Sequence, residues 1–308
     1  MQIIYSAESD LIAPCVATIG FFDGIHSGHK YLINNLKQEA EKQQLKSAII
    51  TFNTHPRKII NPEFKPELLN TPAEKISNLI NTGIDLCVVL DFDTNMSKLS
   101  AYEFLKNILK EQFKVQTLLI GYDHRFGHNR SDDFNEYQKY GNEIGINVIK
   151  ANRYATKEDE KISSTKIREA LINGNIQQAN RQLSYPYLLK GTVVEGHKMG
   201  RKIGFPTANI AVENPNKIIP SKGVYGVRVF INNQVHKGML NIGNRPTMNN
   251  GNNVTIEVNI LNFNTEIYGE TITVEFIEKI REEKKFENIE KLMEQISQDQ
   301  LVVEEMQI

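Results

Sequence analysis

The chain predicts two fold classes in succession: an α/β half built on a parallel sheet, then an all-β half of antiparallel strands that ends in an α-helix. Three observations carry this reading. In the first half, apolar runs of strand length alternate with longer stretches of helical periodicity, the order that builds βαβ units. From about Tyr185 onward the runs are short, polar and apolar positions alternate, and glycine is frequent, the pattern of a sandwich or barrel. The length, 308 residues, suits two domains of ordinary size, and 40% hydrophobic against 24% charged residues leaves enough apolar material for each to bury a core.

Taken in order, "PCVATIGFF", "LKSAIITF", "IDLCVVLDF" and "VQTLLIGYD" read as strands buried on both faces. "VATIGFF" is expected to be the first of them. Between them, "HKYLINNLKQEAEKQQ", "PAEKISNLINTG" and "SAYEFLKNILKEQF" read as helices. Right-handed crossovers then bring the C-terminal ends of the strands to one edge of the sheet, where ligands bind. After the helix-like "KIREALINGNIQQANRQL" the boundary falls near "RQLSYPYLLKG", giving domains 1–182 and 183–308. "GVYGVRVFIN", "KGMLNIG", "VTIEVNIL" and "ITVEFIEKI" follow as antiparallel strands. The closing "FENIEKLMEQISQDQ" places Phe286, Ile289, Leu292, Met293 and Ile296 at helical spacing, a stripe expected to pack.

Charge and cysteine content narrow the function classes. With 36 basic and 37 acidic residues interspersed, there is no stripe for nucleic acid and no patch for a membrane surface, so neither partner is expected. No run approaches membrane-spanning length, and the N-terminus lacks the basic flank of a signal peptide; a soluble, cytoplasmic protein is expected. Cys15 and Cys87 lie far apart and outside metal-ligand spacing, consistent with reduced packing groups.

The densest cluster of chemistry is "GFFDGIHSGHKYL", residues 20–32, between an apolar run and a helix. Ser27 is expected to cap a helix beginning at Gly28, which puts His29 in the first turn, where N–H groups and the dipole attract anions. His26 precedes it, and Gly20, Gly24 and Gly28 let backbone approach a ligand. Two imidazoles beside exposed amides suit a polyphosphate held while one phosphorus is attacked. Two histidines also suit zinc, although no further Cys/His cluster completes such a site, and plain surface histidines are the remaining alternative.

"TIGFFDGIHSGH" is similar to the signature of nucleotidylyltransferases whose first strand ends in a histidine–x–glycine–histidine turn. With "FNTHP" (52–56), "GYDHRFG" (121–127) and "ISSTKIR" (162–168), the first half resembles the adenylyltransferase part of the bacterial bifunctional riboflavin kinase/FAD synthetase family. The second half resembles its riboflavin kinase module through "GTVVEGHKMGRKIGFPTANI" (191–210), "GVYGV" (223–227), "IGNRPT" (242–247) and "EVNILNFNTEIYGE" (257–270). The resemblance covers nearly the whole chain, in order. It implies a Rossmann-like nucleotidylyltransferase domain followed by an antiparallel β-barrel kinase domain ending in an α-helix.

The function it implies is phosphorylation of riboflavin by ATP to FMN and ADP, then adenylylation of FMN by a second ATP to FAD with release of pyrophosphate, both with Mg2+. By resemblance, the adenylyltransferase ATP site comprises Gly20, Phe22, Asp23, Gly24, His26, Gly28 and His29, with Ser163, Ser164, Thr165 and Arg168; His26 and His29 would act on the reacting phosphates. His55, Pro56, Asp123 and Phe126 would form the flavin side. The serines could equally be ordinary helix caps.

The kinase half has no Walker A sequence, so its ATP site must be built otherwise. Gly196, Gly200 and Gly204 mark a glycine-rich loop, with Arg201 inside it, that leads into Pro206. If a strand begins there, Thr207 and Asn209 share one face and offer hard oxygen ligands to magnesium; a hydrogen-bonded turn is the plain alternative. In "TIEVNIL", Ile256, Val258 and Ile260 share one face and Thr255, Glu257 and Asn259 the other. By resemblance Glu257 is the catalytic carboxylate, taking the proton of a primary alcohol, although a solvated glutamate would look the same. The sequence departs from the family pattern at Phe21, at His124 (usually phenylalanine), in "NRSDD", and at Asn259 and Asn262 (commonly histidine and aspartate). Two alternatives are a chain with one active module, the kinase first, and a flavin-sensing regulatory protein without catalysis.

Overall fold

Strands buried on both faces form the middle of the first sheet, as their unbroken apolar runs require. The structure, a computed structural model, describes residues 1–5, 13–122, 124–128, 131–154, 162–196, 199–245 and 253–307. It divides into two compact units, Met1–Ile162 and Ser163–Ile308. The first contains β1 (Gln2–Tyr5), β2 (Cys15–Ile19), α1 (Ser27–Gln43), β3 (Lys46–Phe52), α2 (Pro56–Ile60), α3 (Pro72–Ile80) and β4 (Leu86–Leu90). It continues through α4 (Thr94–Lys98), α5 (Ala101–Glu103), a π-helical stretch (Phe104–Gln112), β5 (Val115–Ile120), α6 (Phe134–Ile144) and β6 (Asn147–Lys150).

These six strands are parallel, in the order β1-β4-β3-β2-β5-β6. The expected first strand is therefore the second, and it lies centrally. Strand β1 pairs at an edge with β4, and Ile4 is its one buried residue, so it presents no apolar run to read. Alternation along the strands feeds two cores. Val16, Ile49 and Cys87 face Ile33, Leu36 and Ala40 of α1; Ala17, Ile50 and Val88 share the other core with Phe104, Leu105 and Leu109. Burial pushes the thiols of Cys15 and Cys87 up to about 12 and about 11, in keeping with packing groups.

The second unit comprises α7 (Ser164–Ile172), α8 (Ile176–Leu183), β7 (Leu188–Val194), α9 (Met199–Lys202), β8 (Ala208–Ala211), β9 (Gly223–Ile231), β10 (Gln234–Arg245), β11 (Asn253–Ile260), β12 (Thr271–Arg281) and α10 (Ile289–Glu305). Its strands close into a barrel, β10-β11-β8-β7-β12-β9, every pair antiparallel. Closure removes the unpaired edges that a sandwich would leave. Helices α7 and α8 pack together and α8 against β12, so residues 163–182 make their contacts with the barrel.

The closing helix corrects one expectation. Ile289 and Met293 are 46% and 38% exposed, and Phe286 precedes the helix, which starts after its Asn288 cap. Its C-terminal half does the packing: Val303, with Ile296 and Met306, lies against Met239 and Leu261. Arg281 forks onto the buried Asp299, Nε and a terminal nitrogen lying 2.9 and 2.8 Å from Oδ2. That ion pair holds the helix where the N-terminal stripe does not.

Candidate functional sites in the two units

The turns carrying the first half's motifs follow the C-terminal ends of β2, β3 and β5, three neighbours in the sheet. From β2 the chain winds outward through β3 to β4, then returns to build β5 and β6 on the other side. The turn after β2 thus sits where strand order reverses, the place at which open α/β sheets bind ligands.

Helix α1 begins at Ser27, and its cap is His26, not Ser27. His26 is extended (φ −66°, ψ 173°), and its Nδ1 accepts the N–H of His29 at 3.2 Å. A ring nitrogen that accepts carries no proton, which leaves Nε2–H as the donor of that ring. The two imidazoles stack with centroids 3.7 Å apart and planes at 12°. His29 also lies 5.1 Å from the Phe22 ring. Although His29 is half-buried as a residue, its Nδ1 is fully enclosed and no described atom hydrogen-bonds it. Burial first, then the charges of His26 and His124, hold its imidazole well below the ordinary 6.5. The ring lies at the start of a 17-residue helix, where exposed backbone N–H groups and the helix dipole attract anions.

The turn before this pair is strained. Phe22, Gly24 and Ile25 have φ of 55°, 86° and 38°, left-handed values that cost energy at Phe22 and Ile25. Burial of both side chains compensates, and Gly20 makes room: a Cβ there would lie 3.1 Å from the Phe22 ring. The buried Asp23 anchors the turn by accepting the N–H groups of Leu69 and Asn70, both at 3.0 Å. His55 caps α2 through the N–H of Arg57 at 3.2 Å, with Pro56 in the first turn, and its ring meets Phe21 at 4.6 Å.

After β5, the buried Phe126 stacks on Tyr137 at 4.3 Å, and the Tyr137 hydroxyl bridges its N–H and carbonyl. Beside it opens a cavity of about 220 Å³ lined by Tyr122, His124, Arg125, Asp133 and Lys150. Asp123 lies outside the described residues, as do Asn129 and Arg130 of the departing "NRSDD". Asp133, the last of that stretch, caps α6. In the second unit Ser163 caps α7 by accepting the Lys166 N–H at 3.3 Å; Ser164, Thr165 and Arg168 fall in that helix.

The second unit assembles its own polar cluster. Glu257 on β11 stands opposite Asn209 of β8 on one side and Asn241 of β10 on the other. Residues opposite one another share a face, so the three line up across three strands. Thr207, just before β8, donates its hydroxyl to Glu257 Oε2 at 3.3 Å. The two departures nearby find a physical role: Asn259 Nδ2 donates to the Pro206 carbonyl at 2.7 Å, fixing the turn that bears Thr207, and Asn262 adopts a left-handed φ of 55°.

Within the glycine-rich segment Met199–Lys202 forms α9, and Phe205 N–H closes onto Gly200 O at 2.8 Å; His197 and Lys198 lie outside the described residues. A Cβ at Gly200 would lie 2.2 Å from the Phe205 carbonyl oxygen, and one at Gly196 2.1 Å from Asn209 Nδ2. Gly204 has φ 85°. Arg201, Pro206, Thr207, Phe263 and Tyr268 border a cavity of about 70 Å³. Sequence reasoning missed Asn241 because only the β10–β11 register places it, and missed Lys75, described below.

Two family models match the chain in succession. A family model described as FAD synthetase matches residues 9–166 and one described as riboflavin kinase matches 183–307. The bifunctional riboflavin kinase/FMN adenylyltransferase of Listeria monocytogenes is 37% identical, over 92% of this chain and 90% of its own. That of Escherichia coli K12 is 35% identical, over 94% and 92%. A solved structure described as a macrolide-efflux protein of Streptococcus pneumoniae shares 32% identity and a TM-score of 0.89 across 99% of both chains. Among the described residues no helix is long and apolar enough to cross a membrane. With each half matched in order and such relatives aligned over nearly their whole length, the chain belongs to the bifunctional riboflavin kinase/FMN adenylyltransferase family.

Proposed function

We propose that the chain makes both flavin cofactors in the cytoplasm: riboflavin and ATP yield FMN and ADP in the second unit, and FMN and a second ATP yield FAD and pyrophosphate through the first. The observation that carries this reading is the presence, in one chain, of two separate polar sites, each in a half matched by its own family model.

In the adenylyl transfer, a phosphate oxygen of FMN attacks the α-phosphorus of ATP and the bond to the β-phosphate breaks, pyrophosphate leaving with the electron pair. No covalent nucleophile is needed; the task is alignment and stabilisation of developing charge. His26 offers Nε2–H, and His29 gains a proton more readily once an anion neutralises its surroundings. The flavin would lie on the side of His55, Pro56, Asp123 and Phe126. Ser163, Ser164, Thr165 and Arg168, and the functional division at 182/183, rest on the sequence resemblance.

In the kinase step, the terminal hydroxyl of riboflavin attacks the γ-phosphorus and ADP leaves, while Glu257 takes the hydroxyl proton. Gly196, Gly200, Arg201, Gly204 and Pro206 form the proposed ATP wall. The donors beside Glu257 fit a magnesium ion, because Thr207 supplies a hydroxyl oxygen and Asn209 an amide oxygen, both hard ligands in one cluster. When bound, the ion would neutralise charge on the transferring phosphates.

The test is turnover of riboflavin with magnesium and ATP, followed by chromatographic separation of FMN and FAD. FMN followed by FAD is expected. FMN accumulating without FAD would leave only the kinase, and flavin binding without ATP consumption would favour a sensing role.

A further inference from the structure

Lys75 is a charged residue in the first turn of α3 and should be solvated by the usual rule, yet it is 3% exposed. Its Nζ donates to the carbonyl of Phe52 at 2.7 Å, to the carbonyl of Phe21 at 3.3 Å and to Thr51 Oγ1 at 3.3 Å. Thr51 in turn donates to the Phe21 carbonyl at 3.1 Å. The ammonium also lies 4.2 Å from the centre of the ring of Phe21, one of the residues at which this chain departs from the family pattern. Three acceptors at the ends of β2 and β3 thus converge on one buried cation.

The segment that carries Lys75 grips the same turn a second time. Leu69 and Asn70, a few residues upstream, donate their N–H groups to Asp23. A capping box between Thr71 and Glu74 fixes the start of α3 between the two grips. What is gripped is the strained turn, left-handed at Phe22, Gly24 and Ile25, that delivers the chain to His26 and His29. Such a conformation persists only where its surroundings over-determine it. A buried ammonium is costly unless paired, so its retention here needs a reason beyond packing.

We infer that Lys75 is a positioning residue for adenylyl transfer: its ammonium ties the carbonyl of Phe21 to that of Phe52 and so holds the turn that presents the stacked pair His26 and His29. This rests on the adenylyl-transfer reading of the first unit. Burial pushes the Lys75 ammonium down to about 8 against the opposing pull of Asp23, on the gripped turn, while Cys87 on β4, raised to about 11, faces it as a neutral thiol. A deprotonated amine has one N–H fewer and turns a lone pair toward carbonyl oxygens, so the grip weakens as pH rises through that range.

The test compares the full-length wild type with Lys75→Met, nearly the same shape without the charge, measuring FAD formation from FMN and ATP and FMN formation from riboflavin and ATP between pH 6.5 and 9.5. Displacement of a catalytic group by about an ångström costs on the order of 100-fold, so kcat for FAD formation should fall by roughly 10- to 100-fold. FMN formation should stay within twofold, and the alkaline decline of wild-type FAD formation near pH 8 should vanish from the variant. Should Lys75→Met not fold, Thr51→Val removes the hydroxyl that links the ammonium to Phe21 and should lower FAD formation several-fold. A folded Lys75→Met with wild-type FAD formation and pH profile would overturn the inference, as would equal loss of both activities. Wild-type protein that makes no FAD would sink the adenylyl-transfer reading itself, and the role of Lys75 with it.

Discussion

A methyl group added at Gly196 tests the kinase site without touching its chemistry. The backbone there lies outside the left-handed region, so Gly196→Ala is sterically allowed for the chain itself. Its Cβ would lie 2.1 Å from Asn209 Nδ2 and 2.7 Å from Cγ. An ordinary contact is about 3.5 Å, so the amide must move by roughly 1.4 Å. Rotation of the Asn209 side chain can supply that movement, but the rotated amide leaves its place opposite Glu257. A misplacement of about 1 Å costs on the order of 100-fold, or about 2.7 kcal/mol of barrier. The assay is kcat for FMN formation with FAD formation from supplied FMN as the internal control, in Gly196→Ala, Asn209→Ala and the double variant. The methyl should be harmless once Asn209 is already alanine, so the coupling should equal nearly the whole effect. Activity of Gly196→Ala within twofold of wild type, or the same loss in both backgrounds, would refute the placement of Asn209 in the ATP site.

Glu257→Gln should lower FMN formation by roughly 10²- to 10⁴-fold, the usual worth of a general base, while sparing FAD formation; His29→Ala should do the reverse, losing about 10²-fold or more. A parallel loss of both activities in either variant contradicts two separate sites. His29 should take up its proton at a lower pH than a free imidazole does, because burial first, then His26 and His124, depress its folded pKa. Below 6.5 the unfolded chain binds a proton that the folded chain refuses, so its contribution to stability is complete above 6.5 and declines as pH falls. Histidine nitrogen shifts in a pH titration measure this, and titration at the ordinary value would disprove the enclosed setting. Asp299→Asn leaves Arg281 in a largely buried site without its charge partner, a change worth about 3–5 kcal/mol. Calorimetry should show the second unit melting earlier; an unchanged transition would mean the closing helix is held by apolar contacts alone.

Local chemistry made much of this protein legible in advance. Strands β2 to β5 announce themselves because burial on both faces demands continuous apolar runs, whereas β1 and β6 lie at the sheet edges and bury too little to show. The two histidines could be placed at a strand–helix turn because glycine, aspartate and serine mark that turn by their own backbone preferences. Which residue caps the helix was not legible: Ser27 is the better cap by propensity, yet His26 takes the position because its ring is turned to accept the His29 amide while stacked on the neighbouring imidazole. The stripe of α10 misled for the opposite reason, since periodicity says which residues share a face but not whether anything covers it.

What the sequence determined by itself was therefore the alternation of elements, the class of each half and the residue types offered to a phosphate. What only the tertiary structure decided was which distant groups meet. Thr207 reaches Glu257 across fifty residues of chain because β8 and β11 pair in one register, and Asn241 joins them by the register of β10. Lys75 reads as a solvated helix residue until packing of α3 against the sheet brings the ends of β2 and β3 around it. Backbone preference acts over a few neighbours and can be read along the chain; register, burial and the meeting of charges are properties of the closed fold.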